Sequence, residues 1–226
     1  MGTQHRLTLP AVGGRQSLRE QVAQALRSAL IAGEMRPGTV YSAPVLAAQF
    51  GVSPTPVREA MLDLAKEGLV EAVRNKGFRV TDLSERDLDE IAEIRALIEV
   101  PIVARLADPA RAEEFAALRP VAERIVAAAE TGDLVAYVDA DLGFHLGLLA
   151  LAGNRHLVEV VRDLRSRARL YGLASLVERG ALAHSAVEHL TLLDLLAAGD
   201  RAGVEHLMTR HIRHVRGIWA DRPEDD

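Results

Sequence analysis

Between residues 33 and 80 glycine and proline cut the chain so often that only short elements fit. Gly33, the Pro37-Gly38 pair, Gly51, Pro54, Pro56, Gly68 and Gly77 leave no run longer than about three helical turns. Ahead of these breaks Leu18, Val22, Ala25, Leu26, Ala29 and Leu30 recur at helical spacing and predict an amphipathic helix that ends at Gly33. A short helix is expected around Pro44–Phe50, with Gly51 placed to close its turn. A third begins in Ser53-Pro54-Thr55-Pro56, where proline suits a first turn and Ser53 or Thr55 can cap free amides. It should bury Val57, Met61, Leu62, Leu64 and Ala65 and stop at Gly68. Two short helices across a tight turn make a helix-turn-helix. Next, Leu69–Val73 and Phe78–Val80 flank Arg74-Asn75-Lys76-Gly77, which reads as a β-hairpin. Arg74 and Lys76 sit at its tip with Arg79 nearby. A basic hairpin after a helix-turn-helix is a wing, laid against the DNA backbone.

Charge is divided along the chain. Residues 1–80 hold 10 Arg/Lys against 6 Asp/Glu, whereas residues 81–226 hold 17 against 26. A basic head on an acidic body suits a DNA-binding module joined to a part that avoids phosphate. Cysteine is absent, which removes disulfides and thiolate metal sites. The start, Met1 to Pro10, lacks a signal-peptide run, and no stretch reaches the roughly 20 apolar residues of a membrane span. The expectation is a cytoplasmic protein with no membrane partner.

The run Phe50-Gly51-Val52-Ser53-Pro54-Thr55-Pro56-Val57-Arg58-Glu59-Ala60-Met61, then Glu67-Gly68-Leu69-Val70 and Lys76-Gly77-Phe78-Arg79-Val80, closely resembles the GntR family of transcription regulators. The resemblance implies a third helix in the major groove of double-stranded DNA, with Arg58 contacting the operator. An arginine there pairs with guanine or clamps a phosphate. It departs at Pro54, where many members carry a base-reading arginine. Ser53, Thr55, Arg58, Lys66, Arg74, Lys76 and Arg79 are the expected DNA-contacting residues. The competing reading is a helix-turn-helix used for protein contacts, with Arg58 and Lys66 as solvated charges.

From Ser84 onward every segment has helical periodicity. Ser84 and Asp87 form a capping-box pattern opening a helix to about Ala107, and Asp108-Pro109 restarts the chain into a second helix ending near Thr131. Further helices are expected at Leu134–Ala152, His156–Ser175, Leu182–Ala198 and 201–219. The fold class expected is therefore mainly α: a winged helix-turn-helix over 1–82, then an antiparallel helical bundle over 83–226.

Polar residues interrupt the apolar stripes of that bundle. Asp141 and His145, four apart, join Val138, Leu142, Leu148 and Leu149 on one helix face. His189 falls among Leu182, Ala186, Leu190, Leu193 and Leu196, and His211 among Val204, Leu207, Met208, Val215 and Ile218. Each histidine alone reads as a hydrogen-bonded core residue. Together they need partners for every ring nitrogen, and one divalent cation satisfies three imidazoles and a carboxylate at once. Zn, Ni, Mn and Fe all suit this donor set. Arg95 lies at the edge of a stripe of Ile91, Ile94, Ile98 and Ile102. There it either meets a carboxylate ligand or pairs with Glu99 one turn on.

The runs Asp141-Leu142-Gly143-Phe144-His145, Glu188-His189 and Arg210-His211-Ile212, within a pattern from Asp87 to Val215, resemble the FCD ligand-binding domain of the FadR subgroup. The resemblance implies a metal on Asp141, His145, His189 and His211 and a small carboxylate effector beside it. Arg95, with Arg165 and Arg169 after it, is a candidate contact for that carboxylate, and a two-fold operator calls for a homodimer. Two alternatives remain open at this stage. One is a metal-dependent hydrolase, against which Glu188 is expected to point away from the cluster. The other is a DNA-binding protein whose metal site is purely structural.

Overall fold

The computed structural model describes residues 17–31, 33–168 and 181–219, with side chains of the last helix described to residue 213. The head comprises α1 (Leu18–Ile31), β1 (Val40–Tyr41), α2 (Ala43–Phe50), α3 (Pro54–Lys66), β2 (Val70–Val73) and β3 (Gly77–Val80). Its core is apolar: Val22, Leu26 and Leu30 of α1 pack with Leu46, Val57, Met61, Leu64, Phe78 and Val80. Gly51 closes α2 in the left-handed conformation, φ 66°, where its N–H returns to the helix carbonyls.

Three features differ from expectation. The sheet has three strands in the order β1-β3-β2, all antiparallel, because Val40 and Tyr41 pair with Arg79 and Phe78. This added strand explains Gly77, whose φ is 136°; a Cβ there would lie 2.3 Å from the Tyr41 carbonyl oxygen. Leu62, expected in the core, is 45% exposed. Ser53 occupies the N-cap of α3 in extended conformation, but its hydroxyl makes no capping bond.

The body is built from α4 (Glu85–Ala104), a 3₁₀ turn (Pro109–Arg111), α5 (Ala112–Thr131), α6 (Leu134–Ala150), α7 (Arg155–Ala168), α8 (Ala181–Ala198) and α9 (Arg201–Trp219). Ser84 accepts from the Asp87 amide while Asp87 accepts from the Ser84 amide, the reciprocal cap read from the sequence. Phe115, Ile125, Phe144, Leu148, Leu149, Leu193, Leu196 and Met208 form the centre of one apolar cluster. The expected extension of α7 to Ser175 lies outside the described residues. The stripe on α4 is rotated from the isoleucine line: Ile94 is 43% exposed, and Leu88, Ile91, Arg95, Glu99 and Val103 face inward. A helix turns charge into a core only if that charge is matched there, and here Arg95 and Glu99 lie one turn apart.

Head and body touch at several points. Ile31, the last residue of α1, packs into the body's cluster. Leu83, just beyond the wing, packs with Leu88, Ile91, Leu164 and Ala168. The Arg167 side chain lies against Gly68, close enough that a Cβ there would meet it at 3.1 Å. No helix among the described residues is long and apolar enough to cross a membrane.

Candidate nucleic-acid interface and metal centre

The outward face of α3 carries Thr55, Arg58, Leu62 and Lys66, all exposed. Proline at the first helical turn fixes the start of α3, while the buried Val57, Ala60, Met61 and Leu64 set which face turns outward. Lys66 is ion-paired with Asp63 at 3.2 Å, and Asp63 is also gripped by Arg19 of α1 at 2.5 Å. In the wing, Asn75 takes the left-handed conformation (φ 58°) that a tight hairpin demands, and Arg74 and Lys76 are exposed at its tip. Arg79 faces outward and pairs with Glu71 across the strands at 2.9 Å. The structure thus places Ser53, Thr55, Arg58, Lys66, Arg74, Lys76 and Arg79 at the surface of the head. Leu62, expected in the core, shares that outward face.

Deep in the body, α6, α8 and α9 bring Asp141, His145, His189 and His211 together, with one ligand atom from each inside a span of 4.8 Å. His145 Nε2 lies 3.1 Å from His189 Nε2, which lies 3.1 Å from Asp141 Oδ1; His145 Nε2 to Asp141 Oδ1 is 3.6 Å. The three imidazoles are almost wholly enclosed, and Asp141 is 25% exposed. Phe144 packs its ring edge-on against His145 and His189, fixing their planes.

The outer nitrogens decide what the inner ones present. His189 Nδ1 lies 3.1 Å from the Ala186 carbonyl oxygen, which can only accept, so that nitrogen carries the proton. His211 Nδ1 donates to Glu188 Oε2 at 2.7 Å. A neutral ring protonated at Nδ1 presents a lone pair at Nε2. Burial pushes the His145 and His211 rings below the ordinary histidine range, the Arg165 charge adding to the effect on His145. Burial raises the Asp141 carboxyl, but His145, His189 and Arg165 outweigh it and hold that group well below the usual carboxylate range. Lone pairs and a carboxylate oxygen therefore converge on one point. A cation with bonds of about 2.0–2.1 Å sets tetrahedral ligands about 3.3 Å apart, and the 3.1–3.6 Å spacings among His145, His189 and Asp141 match that edge. The donor set fits a divalent metal.

Around the cluster lies a charged shell that sequence reasoning read only in part. Glu99 is fully enclosed and takes Arg95 Nε at 2.7 Å and Arg165 Nη2 at 2.5 Å. Burial raises Glu99 but the two arginines win, bringing it down to about 2. Arg165 reaches on to Asp141 Oδ2 at 3.4 Å. Arg95 and Arg165 are thus both brought to the cluster's flank; Arg169 lies outside the described residues. Glu188 was expected to point away. Instead it is buried against His211, and its other oxygen accepts from Arg210 at 2.9 Å. Its position, one residue before His189 and so turned by about 100° on the helix, brings it to the outer nitrogen of His211 on the next helix.

Residues 18–80 match the family described as bacterial regulatory proteins, gntR family, and residues 90–214 match the FCD domain. The probable D-xylose utilization operon transcriptional repressor of Paenarthrobacter nicotinovorans is 32% identical over 198 residues, 88% of this chain and 87% of that protein. The HTH-type transcriptional regulator McbR of Escherichia coli strain K12 is 29% identical over 194 residues, 85% of this chain and 88% of that one. A solved structure of E. coli McbR/YncC superposes with a TM-score of 0.69 at 28% identity, covering 92% of this chain and 99% of the other.

Proposed function

This chain belongs to the GntR family of bacterial regulatory proteins and carries an FCD domain, and on that premise we propose a metal-assisted, carboxylate-responsive regulator of operator binding. Its relatives are transcriptional regulators, not enzymes, which removes the hydrolase alternative. The observation that carries the metal assignment is the protonation pattern: two imidazoles spend their N–H groups outward, on Ala186 and Glu188, and aim Nε2 inward beside Asp141. Asp141, His145, His189 and His211 hold the cation in this reading, and the metal supplies a positive centre for a carboxylate.

Charge counting supports an anionic effector. Arg95, Arg165 and Arg210 balance Glu99, Asp141 and Glu188, so the shell is neutral before a divalent ion enters. Two added positive charges in a low-dielectric interior call for an anion. Arg165 Nη1 makes only the long 3.4 Å contact to Asp141, so it can donate to an effector carboxylate instead.

DNA contact falls to Ser53, Thr55, Arg58, Lys66, Arg74, Lys76 and Arg79, presented by a homodimer to a two-fold operator. Coupling runs through α7, which places Arg165 in the charged shell and, two residues on, Arg167 against Gly68 at the end of α3. The effector changes operator affinity only by as much as it prefers one arrangement of these parts.

Elemental analysis of the purified chain, then fluorescence anisotropy on operator DNA with small carboxylic acids, tests the proposal. About one divalent metal per chain and an acid-dependent shift in operator affinity are expected. Loss of neither metal nor response in His189→Ala would overturn it. Metal without any response to acids would leave a purely structural site.

A further inference from the structure

We propose that Leu62 reads a thymine methyl group in the operator, about two base steps from the base that Arg58 contacts; this rests on the DNA-contacting face assigned to α3 above. Leu62 is 45% exposed, on a helix whose opposite side, Val57, Ala60, Met61 and Leu64, is fully enclosed. Nearly half of its surface therefore stays outside the head's core, and the fold does not call for an apolar residue there.

Helix geometry places it on the DNA-contacting face. At about 100° per residue, Leu62 lies within about 20° of Thr55, with Arg58 about 40° to one side and Glu59 about 60° to the other. All four side chains are exposed. Leu62 is thus on the midline of the face that carries Arg58. The spacing 55, 58, 59, 62 is also the interval at which the homeodomain helix, lying along the major groove, presents its base contacts.

A face pressed into that groove loses its water. Thr55, Arg58 and Glu59 can meet the donors and acceptors of base edges, but a leucine cannot. The apolar group that the four bases offer in the major groove is the C5 methyl of thymine. Leucine set against any other edge would strip a donor or acceptor of water without replacing it, so Leu62 selects thymine and penalises the alternatives. From Arg58 to Leu62 the helix rises about 6 Å, close to two base steps of about 3.4 Å. Pro54 has no side-chain donor or acceptor, which leaves base reading on α3 to these few residues.

The test uses the full chain, a duplex that the parent chain enriches from a randomised library, and fluorescence anisotropy. Each thymine is replaced in turn by deoxyuridine, which keeps the base pair and removes only the methyl group. The expected result is a loss of about fourfold, the worth of one buried methyl group, at one thymine in each half-site. That thymine should lie about two base pairs from the position whose preference Arg58→Ala relaxes. Leu62→Ala and, separately, Leu62→Gln should bind the thymine and deoxyuridine duplexes equally, whereas Arg58→Ala keeps the difference. A duplex insensitive to every replacement overturns the proposal, as does a methyl effect that survives in the Leu62 variants. Altered sedimentation of the DNA-free Leu62→Ala chain, with the methyl effect intact, would instead make Leu62 a contact between protein chains. Failure of the parent to enrich any duplex overturns the DNA-contacting face itself, and this inference with it.

Discussion

The head and the body solve the problem of polar groups in opposite ways. Every buried polar or charged side chain among the described residues lies in the body: Arg95, Glu99, His145, Arg165, Ser166, Ser185, Glu188, His189 and His211. The head's core cluster is apolar, and its charges pair at the surface, as Arg19 with Asp63 and Arg79 with Glu71, with the partly enclosed Arg27–Glu67 pair as the exception. A head that must present a fixed face to DNA gains from a core indifferent to ligands and pH. A sensing body gains from the reverse, because enclosed charges in mutual balance respond strongly when one more charge is added.

The sharpest break of this contrast is at Glu99. Glu99→Gln leaves Arg95 and Arg165 enclosed without their common partner, at an expected cost of about 3–5 kcal/mol in urea denaturation at pH 7. The pH dependence follows from a carboxyl lowered to about 2 from 4.5. Its contribution is complete above pH 4.5 and is lost as pH falls toward 2, so the variant should lose less stability than the parent over that window. Breaking the exposed Arg79–Glu71 pair should leave the denaturation midpoint where it was. A midpoint shift at Arg79 as large as that at Glu99 would erase the distinction between the two regions.

Smaller, and confined to the sensing site, is the effect at Glu188. By holding the His211 Nδ1 proton it keeps Nε2 turned to the cluster, and such outer partners set metal affinity by about ten- to hundredfold. Glu188→Gln should weaken zinc binding in competition with a chromophoric chelator by that range while zinc-free stability changes less. Unchanged zinc affinity would show that packing against the His145 and His189 rings suffices to hold His211.

How legible each half was in the sequence follows the same division. The head was read from glycine and proline positions plus apolar spacing, since an apolar core is what those patterns report. Leu62 misled because an apolar residue on the outward face of α3 breaks the pattern for a reason packing does not supply. Strand β1 was missed because two residues carry no period of their own. In the body, Asp141, His145, His189 and His211 stood out as polar breaks in apolar stripes. Glu99 and Glu188 did not: a carboxylate one turn from an arginine, or next to a histidine, looks the same in sequence whether it is solvated or enclosed. Only the meeting of α4 with α7, and of α8 with α9, separates the cases.

The head's own side chains carry the finest predictions. Arg58 is exposed on α3 with Thr55 and Leu62 beside it, and Pro54 supplies no base contact. Arg58→Ala should therefore cost about 1–3 kcal/mol of operator affinity by anisotropy and relax preference at one base position. Lys76, at the wing tip, meets phosphate and not base edges in this reading. Lys76→Ala should weaken specific and random DNA alike and lower the slope of log affinity against log salt by about one. The pair of measurements separates the helix from the wing: the arginine changes which sequence is chosen, the lysine only how tightly any sequence is held. A Lys76 variant that altered base preference while leaving the salt slope alone would place the wing in a groove instead of along the backbone.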